Sequence, residues 1–385
     1  MEFIGKGRAA RRTYGFDEIA LVPASATVDP QDVDLSWRVA GQTFALPIIA
    51  SAMDSVVDVA FAVALSRLGG MAVLNLEGMH TRYPDPRDVL DRLADAPPDR
   101  VVSLLQEAYR EPIKDDLVAR RIAEIRAGGG IPVASATPAA ASRLGPLAVE
   151  AGAALLLVQS TVITEQHRSD RGAALSLRDL AARMEIPVMA GNCVSYEAAL
   201  QLLEAGVAAL FVGVGPGAAC TSRKVLGVGV PQATAVVDVA AARAEFERRT
   251  GRYIPIVADG GIAVGGDIAK AVACGADAVM LGSLLARAEE APGRGYHWGM
   301  ATPHGALPRG TRVRVGTTGT LRDILLGPAR VDDGSQNLVE ALRTAMGICG
   351  ARTLRQMQQA EIIIAPALAV EGKALQIAQR VGQGR

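Results

Sequence analysis

The segment from Gly213 to Arg223, G-V-G-P-G-A-A-C-T-S-R, combines glycines with a cysteine, hydroxyl groups and a cation. Its cysteine, Cys220, ends the Gly-rich part and is soon followed by Ser222, Arg223 and Lys224. Nearby cations and loop N–H groups favour the thiolate form of cysteine, which is the nucleophilic form. We therefore take Cys220 as the candidate catalytic nucleophile.

The other three cysteines, Cys193, Cys274 and Cys349, are expected to be packing residues, because free cysteine is most often a small buried hydrophobe. Cys193 follows Asn192 at a predicted strand end and could line a site, although packing is favoured. The four cysteines lie far apart without a C-x-x-C pair, which argues against a zinc ribbon and against a disulfide framework. We expect reduced thiols in a cytoplasmic protein.

Two further stretches are suited to binding a phosphate group. Asp259-Gly260-Gly261 and Gly282-Ser283 each follow a short apolar run, and glycine lets an oxyanion approach the main-chain N–H groups. A carboxylate would repel a phosphate, so we expect Asp259 to accept hydrogen bonds from a ribose hydroxyl instead. The alternative that these glycines only form tight turns stays open.

Short apolar runs alternate along the chain with helical stretches such as Leu175–Met184, Tyr196–Glu204 and Gln232–Arg249. Buried parallel strands have this pattern because helices cover their outer face. Three runs follow a helix that ends in glycine, and three begin with Ile-Pro. The predicted strands are Leu46–Ala50, Met71–Leu74, Ile131–Ala134, Ala154–Val158, Ile186–Met189, Ala209–Val214, Ile254–Val257 and Ala278–Leu281.

Eight such strands in order predict an α/β fold of the (β/α)8 TIM-barrel class, whereas six strands with a reversal would form a doubly wound sheet. The active site of a barrel lies on the loops at the C-terminal ends of its strands, and the last two loops commonly bind phosphate. Those two loops begin here at Asp259 and Gly282. The other strand-end candidates are Ser51–Asp54, Gln159–Thr161, Gly191–Cys193 and Gly213–Ser222.

The 385 residues are interpreted as a single barrel domain, residues 1–385. The formal net charge of zero argues against nucleic-acid and anionic-membrane partners, and the 50% hydrophobic content argues against disorder. No secretion signal or membrane span is indicated. The charged, proline-broken region 79–116 is predicted to be an irregular connection. Residues 291–335, rich in Gly, Pro and Arg, are predicted to be a long excursion after the eighth strand.

The segment Gly213–Gln232 closely resembles the active-site loop of the IMP dehydrogenase/GMP reductase family. Further motifs in family order extend the resemblance over nearly the whole chain. They are Phe16–Pro23, Pro47–Ser55, Asp259–Ile262, Gly282-Ser283 and Ala341–Gly350. The resemblance implies a purine-nucleotide oxidoreductase on a barrel, with NAD as its cofactor, in which Cys220 attacks C2 of a purine nucleoside 5′-monophosphate.

The resemblance also implies roles for individual residues. Beside Cys220, the further catalytic candidates are Ser222 and Arg309. Substrate-binding residues would be Ser51, Met53, Gly217, Ala218, Asp259, Gly260, Gly261, Gly282, Ser283, His297, Gly299 and Met300. Residues in contact with NAD would be Gln159, Ser160, Thr161, Asn192, Gly213, Val214 and Gly215. Ligands of a monovalent cation, potassium, would be the carbonyl groups of Gly215, Gly217 and Cys220.

A homotetramer is implied as well, in which Glu371-Gly372 of a neighbouring subunit completes the cation site. Several positions depart from the family pattern. Gln159 replaces an aspartate, Ala218 a phosphate-loop serine and Ser222 a threonine. Only the short connection 79–116 stands where relatives carry CBS modules, so we expect no control by ATP or GTP through such modules.

Three functions remain open from the sequence. The first is a compact IMP dehydrogenase without CBS modules, the second a GMP reductase that uses NADPH, and the third a non-catalytic nucleotide-binding relative. The third is motivated by the excursion 291–335, which lacks the Arg-Tyr pair of the water-activating flap of the dehydrogenases. Its candidates for that role are Arg309, Arg312 and Arg314. The segment Gly227–Thr234 is more similar to dehydrogenases, which favours the first.

Overall fold

The structure is a computed structural model, and it describes residues 2–167, 175–299, 311–367 and 370–382. Eight parallel strands in this part form a closed barrel, in which strands adjacent in the barrel follow one another in the chain. Val279 opposite Ile48 and Leu281 opposite Ala50 pair the last strand with the first. The barrel strands are β1 (Ile48–Ala50), β2 (Met71–Asn75), β3 (Val133–Ala136), β4 (Leu155–Gln159), β5 (Val188–Cys193), β6 (Leu210–Val212), β7 (Ile256–Asp259) and β8 (Ala278–Leu281).

Helices follow the strands and cover the barrel. They are α1 (Val59–Arg67), α2 (Arg87–Asp95), α3 (Val101–Ala108), α4 (Asp115–Ala127), α5 (Pro138–Glu150), α6 (Leu177–Arg183), α7 (Tyr196–Glu204), α8 (Ser222–Val225), α9 (Gln232–Thr250), α10 (Gly265–Ala273), α11 (Leu321–Leu326), α12 (Leu338–Ile348), α13 (Leu354–Met357) and α14 (Ala374–Gln379). Among the described residues, no helix is both long enough and apolar enough to cross a membrane.

Short antiparallel strand pairs lie outside the barrel. They are Glu2–Gly5 with Arg8–Ala10, Trp37–Val39 with Gln42–Phe44, Ile19–Leu21 with Ile362–Ile364, and Tyr296–His297 with Val313–Arg314. The last pair belongs to the predicted excursion after the eighth barrel strand. It joins the two ends of a stretch whose middle, 300–310, lies outside the described residues.

The expected (β/α)8 TIM barrel is confirmed, and its closure excludes the doubly wound sheet. Every predicted strand overlaps an observed barrel strand, because each run is buried on both faces and therefore apolar throughout. Helix α7 illustrates how single residues fix the two ends of a helix. It begins after Ser195, whose hydroxyl accepts the N–H of Ala198, and it is followed by Gly206, whose φ of +93° lets the chain turn into β6.

The prediction of an irregular connection over 79–116 is wrong for the part that forms α2 and α3. The prolines lie outside the helices, since Pro86 precedes α2 and Pro97 and Pro98 separate α2 from α3. Helix α2 buries Leu90, Leu93 and Ala94, spaced as one helical face. The two helices share a small core of their own, which is separate from the barrel core.

Candidate active site

A cavity of about 830 Å³ opens at the C-terminal ends of the barrel strands, where the fold predicts the active site. Most of the residues selected from the sequence line it. Those predicted for substrate or catalysis are Ser51, Met53, Gly217, Ala218, Cys220, Ser222, Asp259, Gly260, Gly261, Gly282, Ser283, His297 and Gly299. Those predicted for the cofactor are Gln159, Ser160, Thr161, Asn192, Gly213 and Gly215.

Three predicted site residues are not placed in this cavity. Val214 is buried, at 1% exposure, and is not part of the lining. Met300 and Arg309 lie outside the described residues. The structure therefore gives no position for the residue that was expected to activate water.

Cys220 lies on the loop after β6 and is exposed at the cavity. Its N–H donates to the carbonyl of Gly217 at 3.0 Å, which closes a tight turn. Its Sγ lies 3.3 Å from Oγ of Ser222, the first residue of α8. The thiol is thus presented to the cavity by a turn and has a hydroxyl as its neighbour.

The sequence suggests that Arg223 is a cation near the Cys220 thiol, but its contacts are with the backbone of the loop. Its guanidinium donates to the carbonyl of Val230 at 2.8 Å. Its side chain also packs against the loop, since a Cβ added at Gly215 would lie 2.4 Å from Cγ of Arg223. Arg223 therefore holds the shape of the loop, and within the described part of the chain the polar partner of the thiol is the Ser222 hydroxyl.

Three polar side chains meet at the bottom of the cavity. Nε2 of Gln159 donates to Oδ2 of Asp259 at 2.9 Å, and Nδ2 of Asn192 donates to the same oxygen at 2.8 Å. Both bonds fall on Oδ2, which leaves Oδ1 for a ligand. Burial raises the pKa of Asp259 to about 6, although the two amide donors oppose the shift. Asp259 is thus an ionised acceptor above pH 6.

The phosphate end of the cavity, defined as Gly260, Gly261, Gly282, Ser283 and His297, brings the loops after β7 and β8 together. A hydrogen bond of 2.9 Å joins Oγ of Ser283 to Nε2 of His297, whose Nδ1 is buried without a partner among the described residues. Burial lowers the pKa of His297 to about 4, so the ring is neutral at pH 7. The Ser283 hydroxyl and the His297 imidazole are therefore the polar side-chain groups that this end of the cavity offers to a ligand.

Glycine is required where this loop meets the loop of Cys220. Gly260 has a φ of +86°, and a Cβ added there would lie 3.0 Å from the backbone nitrogen of Gly217. The close approach brings the phosphate end next to the thiol. A molecule held by a phosphate at one loop would thus present its other end to the second loop.

The other cysteines are found where packing was expected. Burial raises the pKa values of Cys193 and Cys274 to about 12, so neither thiol ionises near neutral pH. Cys349 is partly buried, and its thiol faces the carbonyl of Val22 at 3.8 Å. Of the four cysteines, all within the described residues, Cys220 is the one that is exposed.

The sequence analysis missed the far end of the cavity, defined as Asn75, Glu77, Ser135 and Thr137. These residues lie at or just after the C-terminal ends of β2 and β3. The carboxylate of Glu77 accepts the N–H of Thr137 at 2.5 Å and its hydroxyl at 3.1 Å. The signal was available, because the strand-end rule applies to all eight strands and was not applied to these two. Arg82 and Arg287 also line the cavity and were missed.

Comparison with known proteins places this chain in a family. A family model described as "IMP dehydrogenase / GMP reductase domain" matches residues 13–302. An uncharacterized oxidoreductase of Mycolicibacterium smegmatis is 39% identical over 370 residues, which cover 94% of this chain and 99% of the relative. The inosine-5′-monophosphate dehydrogenase of Methanocaldococcus jannaschii is 30% identical, with 96% of each chain covered. That alignment spans 484 positions, more than this chain's 385 residues, so the archaeal enzyme has residues without a counterpart here.

A solved structure gives the same result. The IMP dehydrogenase/GMP reductase-like protein of Corynebacterium glutamicum superposes with a TM-score of 0.89 and is 35% identical. The superposition covers 94% of this chain and 97% of that one. On sequence and structure together, the chain is an oxidoreductase-type barrel that belongs to the IMP dehydrogenase/GMP reductase family.

Proposed function

We propose that this protein is an NAD-dependent IMP dehydrogenase, which oxidises IMP to XMP through a covalent bond to Cys220. The observation that carries the proposal is the exposed thiol of Cys220, 3.3 Å from the Ser222 hydroxyl and next to the phosphate end of the same cavity. The far end of that cavity leaves room for a second ligand beside the nucleotide. Supporting relatives include an enzyme named as an inosine-5′-monophosphate dehydrogenase.

In this proposal, the nucleotide is held at three points. The phosphate binds at the phosphate end, where Ser283 and His297 offer side chains and Gly261 and Gly282 offer main-chain N–H groups. A ribose hydroxyl donates to Oδ1 of Asp259, whose position is fixed by Gln159 and Asn192 through Oδ2. The base then reaches the loop of Cys220.

The reaction follows from the placement of the thiol. The Cys220 thiolate adds to C2 of the hypoxanthine ring, which makes that carbon tetrahedral and allows its hydrogen to leave as a hydride. NAD, when bound over Gln159, Ser160 and Asn192, supplies the acceptor for that hydride. The product on the enzyme is a thioimidate, and water then attacks C2 and releases XMP with the thiol restored.

The hydrolysis step needs a group that removes a proton from water. Ser222 is the hydroxyl beside the thiol and is proposed to hold that water. Arg309 remains the proposed base. Potassium is proposed to bind the carbonyl groups of Gly215, Gly217 and Cys220, and the donor chemistry fits, since the Gly217 oxygen retains a lone pair beyond its bond to the Cys220 N–H. A cytoplasmic homotetramer, with Glu371-Gly372 completing that site, is part of the proposal.

The test is an assay of purified protein with IMP and NAD⁺ in potassium buffer, in parallel with GMP and NADPH. Formation of NADH and XMP is the expected result. Faster oxidation of NADPH with GMP would assign the protein to the reductases of the family, and turnover of neither pair, with IMP still bound, would assign it to non-catalytic nucleotide binders. Adding ATP or GTP should leave the rate unchanged, because the family resemblance leaves only the short connection 79–116 where relatives carry CBS modules.

A further inference from the structure

The two ends of the excursion after β8 are fastened to helix α2. On the C-terminal side of residues 300–310, Arg312 donates from Nη1 to the carbonyl of Ala94 at 3.0 Å and to that of Leu93. It also donates from Nη2 to the carbonyl of Ala96 at 2.7 Å. The last carbonyls of a helix have no partner within the helix, and a cation there also favours the helix dipole. The guanidinium thus caps α2.

The strand on the N-terminal side of residues 300–310 contacts the same arginine. The guanidinium of Arg312 lies over the ring of Tyr296, 4.6 Å from its centre. The strand Tyr296–His297 pairs with Val313–Arg314, with His297 opposite Val313. Arg312 therefore connects the C-terminal end of α2 to the strand that carries His297.

Trp298, the next residue, is fully buried in the core that α2 and α3 share. Its Nε1 donates to Oη of Tyr109 at 3.0 Å, and this hydroxyl donates to Oδ2 of Asp54 at 2.7 Å. Asp54 follows the cavity residues Ser51 and Met53. His297 is thus flanked by two aromatic residues, both of which are anchored outside the barrel core.

These contacts converge on the hydrogen bond between His297 and Ser283 at the phosphate end. We propose that Arg312 is a positioning residue for that end: by capping α2 and covering Tyr296, it holds His297 against Ser283. The connection between β2 and β3, which contains α2, thereby becomes a fixed support of the nucleotide site. The link to nucleotide affinity rests on the proposed function, whereas the anchoring of Trp298 does not.

Arg294, which lies after β8, offers a matched control because it binds the same helix. It pairs with Asp91 at 3.0 Å and with Asp95 at 3.4 Å, both on α2, but its side chain is 54% exposed. Exposed ion pairs contribute little to stability. Removal of this side chain should therefore leave both His297 and Trp298 in place.

The experiment compares Arg312→Ala, Arg312→Lys and Arg294→Ala. IMP affinity is measured by calorimetry, and kcat and KM are measured by steady-state assay. The environment of the Trp298 ring is measured by fluorine NMR of protein labelled with 5-fluorotryptophan. The chain has two tryptophans, so the resonance of Trp37, in a different strand pair, is an internal control.

Arg312→Ala should weaken IMP binding about tenfold or more, because a charged donor to three carbonyl groups is lost. It should raise KM more than it lowers kcat, and shift the Trp298 resonance without shifting that of Trp37. Arg312→Lys, which keeps the charge, should have an IMP affinity and a Trp298 resonance between those of wild type and Arg312→Ala. It replaces Arg312→Ala in the test if the alanine variant does not fold. Arg294→Ala should match wild type.

Two results would overturn the proposal. One is Arg312→Ala with a lower melting temperature but unchanged IMP affinity and an unchanged Trp298 resonance, which would leave Arg312 a purely structural cap. The other is an equal effect of Arg294→Ala. If wild-type protein bound no IMP, the proposed function would fail by itself, and the Trp298 resonance would still decide whether Arg312 fixes the strand of His297.

Discussion

The two ends of the cavity are built in different ways. The phosphate end relies on glycines, whose absent side chains let the loops after β6, β7 and β8 approach one another. The far end relies on side chains of ordinary type, such as Glu77 bonded to Thr137. A main-chain site leaves glycines in a sequence at characteristic spacing, whereas a side-chain site leaves no comparable mark. The comparison also predicts that substitutions at the two ends differ in which ligand they affect.

The largest effect is expected at the thiol. Cys220→Ala should lower kcat for NADH formation roughly 10⁴-fold or more, because no nucleophile remains to form the covalent intermediate. IMP affinity should change little. Cys349→Ala, which removes a partly buried thiol that is not among the lining residues, is the matched control and should keep wild-type activity.

Mass spectrometry supplies a second measurement for the same step. A protein–nucleotide adduct trapped during turnover should map to the peptide that contains Cys220 and should be missing from Cys220→Ala. An active Cys220→Ala variant would contradict covalent catalysis by this residue.

Asp259→Asn is expected to have the next largest effect, with opposite signs for binding and stability. Burial raises the pKa of Asp259 to about 6 from 3.8, so its protonated form favours folding. That contribution is fully present below about pH 3.8 and is lost as the pH rises through about 6. At pH 7.5 the ionised group therefore costs roughly 3 kcal/mol, which asparagine would avoid.

The variant should accordingly melt at a higher temperature than wild type at pH 7.5 and at a similar temperature near pH 4, as measured by calorimetry. Its IMP affinity should fall, since a neutral amide oxygen is a weaker acceptor than a carboxylate. Wild-type affinity should fall as the pH drops below 6. A variant that gained no stability at pH 7.5 would contradict the burial of an ionised Asp259.

Ser283→Ala tests the assignment of the phosphate end. The hydroxyl that faces His297 would be lost as a donor to a charged phosphate, which corresponds to about 1.5–3 kcal/mol, or roughly ten- to hundredfold weaker binding of IMP. Inosine, which lacks the phosphate, should bind wild type and variant equally weakly in calorimetry. A variant that weakened inosine as much as IMP would place the phosphate elsewhere.

The smallest effect is expected at the far end. Glu77→Gln keeps an acceptor for Thr137 but removes the charge that strengthens both bonds, so the KM for NAD should rise only about two- to fivefold. IMP affinity should remain at the wild-type value, because Glu77 is part of the other end. Steady-state kinetics with each substrate varied in turn would measure both, and a selective loss of IMP affinity would show that the two ends are assigned the wrong way round.

The barrel was predictable because its strands are short apolar runs and its helices end at recognisable glycines. Cys220 and the glycines of the phosphate end were predictable for the same reason, since their chemistry depends on local sequence. Helix α2 was missed because its prolines and charges suggested a broken segment, although Pro86 and Pro97 lie outside the helix, where proline is tolerated.

Contacts between distant parts of the chain could not be predicted from the sequence. Trp298 packs with residues nearly two hundred positions earlier, and its partner Tyr109 has no pattern that points to it. Arg312 was one of three candidates for the missing flap arginine, yet its guanidinium binds the carbonyls at the end of α2. Such pairings depend on the closed barrel, which brings the ends of separate connections together.

The short link between α2 and α3 has a practical consequence for protein engineering. Residues 97–100 are exposed, whereas the carbonyls that Arg312 binds belong to residues 93, 94 and 96. A ligand-sensing module grafted between Pro98 and Asp99 would leave the cap intact and could be tuned by its linkers. A graft that replaced α2 itself would remove the support of His297. The same connection therefore contains one site that tolerates insertion and, a few residues earlier, one that does not.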